Sequence, residues 1–317
     1  MTTRLLDPAA LRGAAPALFL LLLVVAIAIA APGFGSPDTL LVILADTTTL
    51  FTLAAGVTFV ILLGSIDLSI PSVCSLSTVI VALLLPRIGV GAFAVALAAG
   101  AIAGLVSGFV HVRLRVPSFI ATLATGGVVG GVALYISDAR NIAIAADTRD
   151  MLDWITDSTA GVPNIIGIGM VALAIGVYLQ RYSRFGRYSL AIGAGEPAAW
   201  AAGIRVNRHK ILAFVLSGAF AALAGILLSA RLASGSPTVA NQLLLPAISA
   251  VLVGGTAITG GIGGIGRTLV GALTVSVVRI GMTFLGVNIF AQQMVFGAVL
   301  ILAVAITLDR GKILIAK

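Results

Sequence analysis

The chain has 317 residues, 60% of them apolar and only 9% charged, with a mean hydropathy of +1.18 and a formal charge of +8. Soluble domains carry roughly 25% charged residues. Nineteen basic and 11 acidic side chains cannot cover a water-facing surface of this length, so lipid is left as the solvent for most of it.

The basic excess does not point to nucleic acid, which needs charge clustered on a soluble face; here the charge lies between apolar runs. One cysteine, Cys74, excludes an internal disulfide, and two histidines, His111 and His209, supply no zinc spacing. Residues 13–37, 88–110, 116–137, 158–180, 211–230, 232–266 and 280–308 contain no Asp, Glu, Lys or Arg. A spanning helix needs about 20 mostly apolar residues. In hydrocarbon every backbone group must be bonded internally, so runs this long are helices, whereas a membrane barrel would alternate in segments of about ten. The expectation is an all-α polytopic bundle of about ten spans, one domain over 1–317.

The first span is expected near 15–31. With Arg4 and Arg12 before it and Ala28-Ile29-Ala30 at its end it imitates a signal peptide, but its apolar core is long and more membrane follows, so it reads as a retained span. Spans near 47–64 and 70–86 come next, joined by Gly64-Ser65-Ile66-Asp67-Leu68-Ser69-Ile70-Pro71-Ser72. Asp and Ser before Pro are helix-start signals, so Asp67 reads either as a cap or as a helix break beside a substrate path, where irregular backbone is tolerated. The spans near 90–110 and 118–137 carry GxxxG steps at Gly100/Gly104/Gly108, Gly126/Gly130 and Gly127/Gly131. These fit close packing within one bundle.

Residues 138–160 hold five Asp and two Arg. After a span near 162–180 comes the basic segment 181–210, which contains Gly193-Ala194-Gly195-Glu196-Pro197-Ala198-Ala199-Trp200-Ala201-Ala202-Gly203-Ile204. Pro197 suits a first helical turn, the alanines favour helix, and Gly203 suits a left-handed C-terminal cap. Glu196 places negative charge at the positive end of the helix dipole. The prediction is a helix of about two turns on the membrane surface, with Trp200 and Ile204 as an apolar anchor. A helix so short needs a surface to rest on: a partner protein, or membrane lipid, for which Trp is equally suited.

Spans near 210–230, 243–259, 268–285 and 289–308 complete the chain. Between the eighth and ninth, Gly261, Gly263 and Gly266 form GxGxxG and Arg267 stands where a P-loop has lysine. Both motifs require a strand before the turn, so a tight turn between spans is expected. Arg279 reads as a side chain reaching the interface or as a pathway group. Glu196 is the only glutamate, and no acid–base pair is found, so no catalytic, cofactor-binding or metal residue is assigned. The same scarcity argues against a membrane enzyme and against an ion-coupled transporter, which would need intramembrane carboxylates. Fourteen of the 19 basic residues fall in one set of loops, and the positive-inside rule then places both termini in the cytoplasm.

Several segments resemble the permease subunits of bacterial ABC importers for ribose, arabinose, galactose and related monosaccharides. They are Phe185-Gly186-Arg187-Tyr188 with the Gly-Glu-Pro-Ala-Ala run ending Ala202-Gly203-Ile204; Leu216-Ser217-Gly218 to Ala224-Gly225-Ile226; Leu252-Val253-Gly254-Gly255-Thr256; and Gly286-Val287 leading to Gln292-Gln293. Ile66-Asp67-Leu68-Ser69 and Val116-Pro117-Ser118-Phe119-Ile120-Ala121-Thr122-Leu123 match upstream. The resemblance implies an inner-membrane permease that performs no covalent chemistry and needs no cofactor. It implies three partners: a cytoplasmic ABC ATPase, a periplasmic sugar-binding protein and a second permease copy, identical or related. It also implies that Gly193, Gly195, Glu196, Pro197, Ala198, Ala199, Trp200, Gly203 and Ile204 form the loop that couples to the ATPase. Branched amino acids or nucleosides are the alternative cargo. Ser65, Pro71 and Arg279 depart from the family pattern. Asp67, Asn241, Gln292 and Gln293, polar groups in or beside spans, are the candidate pathway residues.

Overall fold

The computed structural model describes residues 8–288, 291–298 and 301. In chain order the helices are α1 (Pro8–Ala30), α2 (Pro37–Leu62), α3 (Ile70–Ile88), α4 (Gly91–Arg113), α5 (Ser118–Ile136), α6 (Asp153–Thr156), α7 (Asn164–Val177), α8 (Arg184–Ala194), α9 (Glu196–Ala201), α10 (Val206–Leu232), α11 (Leu244–Val253) and α12 (Ile265–Phe284). Residues 291–298 are also helical. Among the described residues strands are confined to two-residue pairs, β1 (Ile142–Ala143) with β4 (Ser234–Gly235) and β2 (Ser158–Thr159) with β3 (Val162–Pro163). The chain is an all-α, multi-pass membrane protein.

Among the described residues seven helices are long and apolar enough to cross a membrane: α2, α3, α4, α5, α7 with its continuation to Tyr182, α10 and α12. Two shorter apolar helices, Ala15–Ala30 and Asn241–Val253, stand where the first and eighth spans were expected. The tenth expected span, 289–308, lies partly outside the described residues.

α2 runs through the centre. Ser36 Oγ accepts the Thr39 N–H at 3.2 Å and Pro37 occupies the first turn, so the helix starts at Pro37 instead of near 47. From Thr47 onward every residue is buried, as expected of a helix that is apolar all round. Thr47, Thr52 and Thr58 each donate their hydroxyl to the carbonyl four residues back, at 2.7–2.8 Å. α10, α12, α11 and α7 pack around it.

α10 is the second axis, set against α4, α2 and α3. A methyl group added to Gly104 would overlap the carbonyl oxygen of Phe214, and one added to Gly100 would overlap that of Gly218. The GxxxG ladder of α4 is thus the seam with α10, and the pairing of low numbers with high ones makes the two helices antiparallel. In α5 only one of the two interleaved steps is used. Gly126 lies against Ser69 and Gly130 against Ser72, while Gly127 and Gly131 face open space.

α11 has ten residues, about 15 Å, or half the roughly 30 Å hydrocarbon core. Gly254 ends it, and Gly255, Gly260 and Gly261 follow with positive φ, so the expected span 243–259 is cut short. Thr256, Gly260 and Gly264 are buried in protein, where irregular backbone is allowed at membrane depth.

The bundle therefore has two distinguishable ends. One carries the basic segments, with the end of α4, the end of α2, α8, α9 and the start of α10. The other carries the start of α2, the end of α10 and the paired strands β1 and β4.

Candidate functional site

At the basic end, α9 is built as its sequence dictates but is shorter than two turns, with six residues. Glu196 and Pro197 open it, and Gly203 adopts φ +81° to close it. Gly203 N–H donates to Trp200 O at 2.9 Å and Ile204 N–H to Ala199 O at 3.1 Å, which satisfies carbonyls the helix end would leave open. Its anchor is Ala199, buried against Val60, Leu63, Ile192, Val206 and Phe214. Ile204 is half-buried on that cluster. Trp200 instead is 75% exposed, so the expected Trp200–Ile204 face is split: one side chain holds the helix down and the other projects outward. Both line an open cleft of about 860 Å³ with Arg113, Glu196, Arg205 and Arg208. Glu196 pairs with Lys210 of α10 at 2.6 Å.

Beneath α9, α8 is fixed by ring stacking of His209 on Phe185, with centroids 4.6 Å apart, and by a 2.8 Å hydrogen bond between His209 Nε2 and Phe185 O. The last turn of α8 then meets two other segments at Gly193. A methyl group there would overlap both the carbonyl oxygen of Leu62, the last residue of α2, and the amide nitrogen of Gly261. Gly261 N–H itself donates to Leu62 O at 3.0 Å. Gly195 extends the chain into α9, and Ala198 sits exposed on its surface.

The glycine turn before α12 is not shaped for a nucleotide. Helices α11 and α12 flank it. Gly264 N–H donates to Thr256 Oγ1 at 3.2 Å and Ile265 N–H to Gln180 Oε1 at 2.8 Å, while Gln180 Nε2 donates to Gly263 O at 3.2 Å. The amides that would hold a phosphate are used to cap α12.

Asp67 lies in the α2–α3 junction at the same end and is fully buried. Its Oδ1 accepts from Ser69 N–H at 2.9 Å and Ser69 Oγ at 2.6 Å, and its Oδ2 from Ser217 Oγ on α10 at 2.7 Å. The neighbouring amides of Ile66 and Leu68 donate to Ser118 Oγ and Thr122 Oγ1 at the start of α5, at 3.1 and 3.0 Å. The junction is thereby tied to α5 and α10.

The opposite end, about 24 Å along α2 from Leu62, is built from charge. Asp46 Oδ2 takes Arg279 Nη2 of α12 and the Ser276 hydroxyl at 3.0 Å, and its Oδ1 lies 3.6 Å from Arg231 Nη1 of α10. One carboxylate thus joins α2, α10 and α12. Arg279 is not simply reaching for the interface: it is paired and about one-quarter exposed. Beside it opens a cavity of about 280 Å³ lined by Gln242, Pro246, Arg279, Gln292, Gln293 and Phe296. Gln292 and Gln293 are thus brought together with Arg279, while Asn241 is exposed next to this wall and Asp67 is at the far end of the molecule. Asp46, Arg231 and Gln242 escaped the sequence reading. The start signal Ser36-Pro37 would have extended the second span upstream to include Asp46.

A family profile described as branched-chain amino acid transport system / permease component matches residues 39–304. The chain is 38% identical over 282 residues to the probable ABC transporter permease protein YphD of Escherichia coli (strain K12), covering 86% of this chain and 82% of that protein. It is 36% identical over 292 residues to the ribose import permease protein RbsC of the same organism, covering 90% and 91%. Identity to the L-arabinose ABC transporter permease protein AraH of Azospirillum brasilense is 34% over 287 residues, covering 90% and 84%. No solved structure matches.

Proposed function

The chain belongs to the ABC transporter permease family whose profile is described as branched-chain amino acid transport system / permease component, and from that premise we propose that it is the membrane subunit of an ATP-driven importer that admits a monosaccharide by alternating access. The relatives named for ribose and L-arabinose support a sugar as the cargo. The basic end faces the cytoplasm of a bacterial inner membrane, with both termini on that side. A separate ATPase docks there, a periplasmic sugar-binding protein delivers cargo to the opposite end, and a second permease copy completes the path.

The observation that carries this reading is the exposed Trp200 on a helix that is itself held by Ala199. An indole left 75% exposed beside arginines and an open cleft has the makings of a binding hot spot. Its helix abuts the Gly193 junction, where α8, α2 and the turn into α12 touch backbone to backbone. A push on α9 is therefore delivered to α2 and α12, the two helices that Asp46 and Arg279 join at the other end.

The test is reconstitution with an ABC ATPase and a periplasmic sugar-binding protein from the same organism, followed by uptake of radiolabelled ribose, arabinose, leucine and adenosine. ATP-dependent uptake of a sugar is the expected result, and replacing Gly203 with Val should abolish ATPase association. Uptake of leucine alone would reassign the cargo, and uptake that follows an ion gradient without ATP would sink the reading.

A further inference from the structure

The cluster at Asp46 does not balance. One carboxylate meets two guanidinium groups, and among the described residues these are its only ion pairs. Arg279 spends Nη2 on Asp46, and its Nε and Nη1 make no hydrogen bond or ion pair among the described residues. This side chain also lines the 280 Å³ cavity. The other polar walls are carboxamides. Gln292 is nearly buried and reaches Thr283 Oγ1 at 3.4 Å, and Gln293 reaches the Gln242 carbonyl at 3.4 Å. Leu243, Pro246 and Phe296 give the apolar floor.

Carboxamides present donors and acceptors together, which suits hydroxyl groups. A guanidinium with unengaged N–H groups suits a carboxylate, which accepts a charge-assisted hydrogen bond from it. The cavity, about 280 Å³, falls just below the roughly 300–1,000 Å³ range of ligand pockets, with room for one sugar ring. Partial burial keeps the surplus positive charge effective. The five aspartates of residues 138–157 share this end but do not line the cavity, and four of them are exposed, where salt screens them beyond about 8 Å.

We propose that this cavity selects an acidic monosaccharide, one ring bearing a carboxylate, with Arg279 holding the carboxylate and Gln292 and Gln293 the hydroxyls. This rests on the importer reading above and narrows its cargo from sugars in general to sugar acids. Arg279 is then a specificity-determining residue, and Asp46 with Arg231 sets the charge it presents.

The test uses the full chain in lipid nanodiscs without the binding protein, so that only the permease selects. D-glucuronate and D-glucose are compared by thermal stabilisation and by titration calorimetry on the native chain, Arg279→Gln and Arg279→Lys. The expected result is at least tenfold tighter binding of glucuronate than of glucose in the native chain. The preference should vanish in Arg279→Gln, which leaves Asp46 paired with Arg231, and persist in part in Arg279→Lys. Equal binding of the two sugars, no binding of glucuronate, or a preference that survives Arg279→Gln overturns the proposal. ATP-driven uptake of glucose by the assembled transporter, unchanged by Arg279→Gln, would reject the acid preference while leaving the importer reading intact. ATP-driven uptake confined to leucine would reject the sugar reading itself.

Discussion

At the basic end three segments of chain meet with no side chain between them, whereas at the opposite end three helices meet through one carboxylate. The Gly193 junction brings α8, α2 and the turn into α12 to backbone contact, and backbone contacts are short, stiff and indifferent to salt. The Asp46 cluster joins α2, α10 and α12 through long side chains that are 15–33% exposed, and such a contact can part and re-form at modest cost. The same two helices, α2 and α12, take part in both. A displacement at the stiff end therefore has a defined outlet at the compliant one, the asymmetry that the proposed alternating access would use.

The largest effect should come from filling the stiff junction. Gly193→Val would drive a side chain into the Leu62 carbonyl, and overpacking of a closed site costs about 1–3 kcal/mol and occasionally more. The neighbours here are backbone atoms that cannot rotate away, so the upper end or beyond is expected, read as loss of the monodisperse peak in detergent or a melting temperature lowered by several degrees. A Gly193→Val chain as stable as the native one would remove the distinction between the two ends.

Removing the charge at the compliant end should cost less. Asp46→Ala strands two arginines in partial burial. Breaking a buried pair costs about 3–5 kcal/mol, and with this exposure about half of that is expected in a thermal melt of the purified chain. The double variant Asp46→Ala with Arg279→Gln should recover part of the loss. Failure to recover any would show that Asp46 acts through the helix backbone and not through charge.

Trp200→Ala sharpens the comparison differently, because it should leave stability untouched. The indole is mostly exposed, so the melting temperature should stay within a degree of native. Affinity for the ATPase should fall about 30-fold, the equivalent of about 2 kcal/mol for an aromatic hot spot. Loss of stability with unchanged affinity would reverse the assignment of Ala199 as anchor and Trp200 as contact.

Much of the fold was legible because lipid imposes a plain signal: the charge-free runs 88–110, 116–137, 158–180 and 211–230 became the full-length helices α4, α5, α7 with its continuation, and α10. The short α11 was not legible, since hydropathy does not register that Gly254 and Gly255 turn the chain back inside protein. Helix α9 was readable from Pro197 and Gly203, whose backbone preferences act locally. The side on which Trp200 lies was not, because it depends on what Ala199 packs against, Val60 of α2, Ile192 of α8 and Phe214 of α10. For the same reason Asp46 was not singled out: its partners, Arg231 and Arg279, are separated from it by more than half the chain and share no motif with it. GxxxG marked α4 as a packing face but left its partner, α10, undetermined.

The smallest effect concerns the one charge pair at the stiff end among the described residues. Glu196 and Lys210 lie 2.6 Å apart, but Glu196 is half exposed, and such pairs contribute about 0–1 kcal/mol. If the basic end is held by backbone contact, Glu196→Gln should lower stability by less than about 0.5 kcal/mol, and raising salt to 1 M should change the native melt as little. At the opposite end the same salt should matter more, because part of the attraction at Asp46 is open to screening. Comparing the salt response of the native chain with those of Glu196→Gln and Asp46→Ala therefore separates the ends in one series. The response should be nearly unchanged by the first substitution and clearly reduced by the second. If Glu196→Gln carried the larger share, the stiff end would owe its strength to charge after all, and the route from α9 to α2 would have to be redrawn through Lys210 and α10.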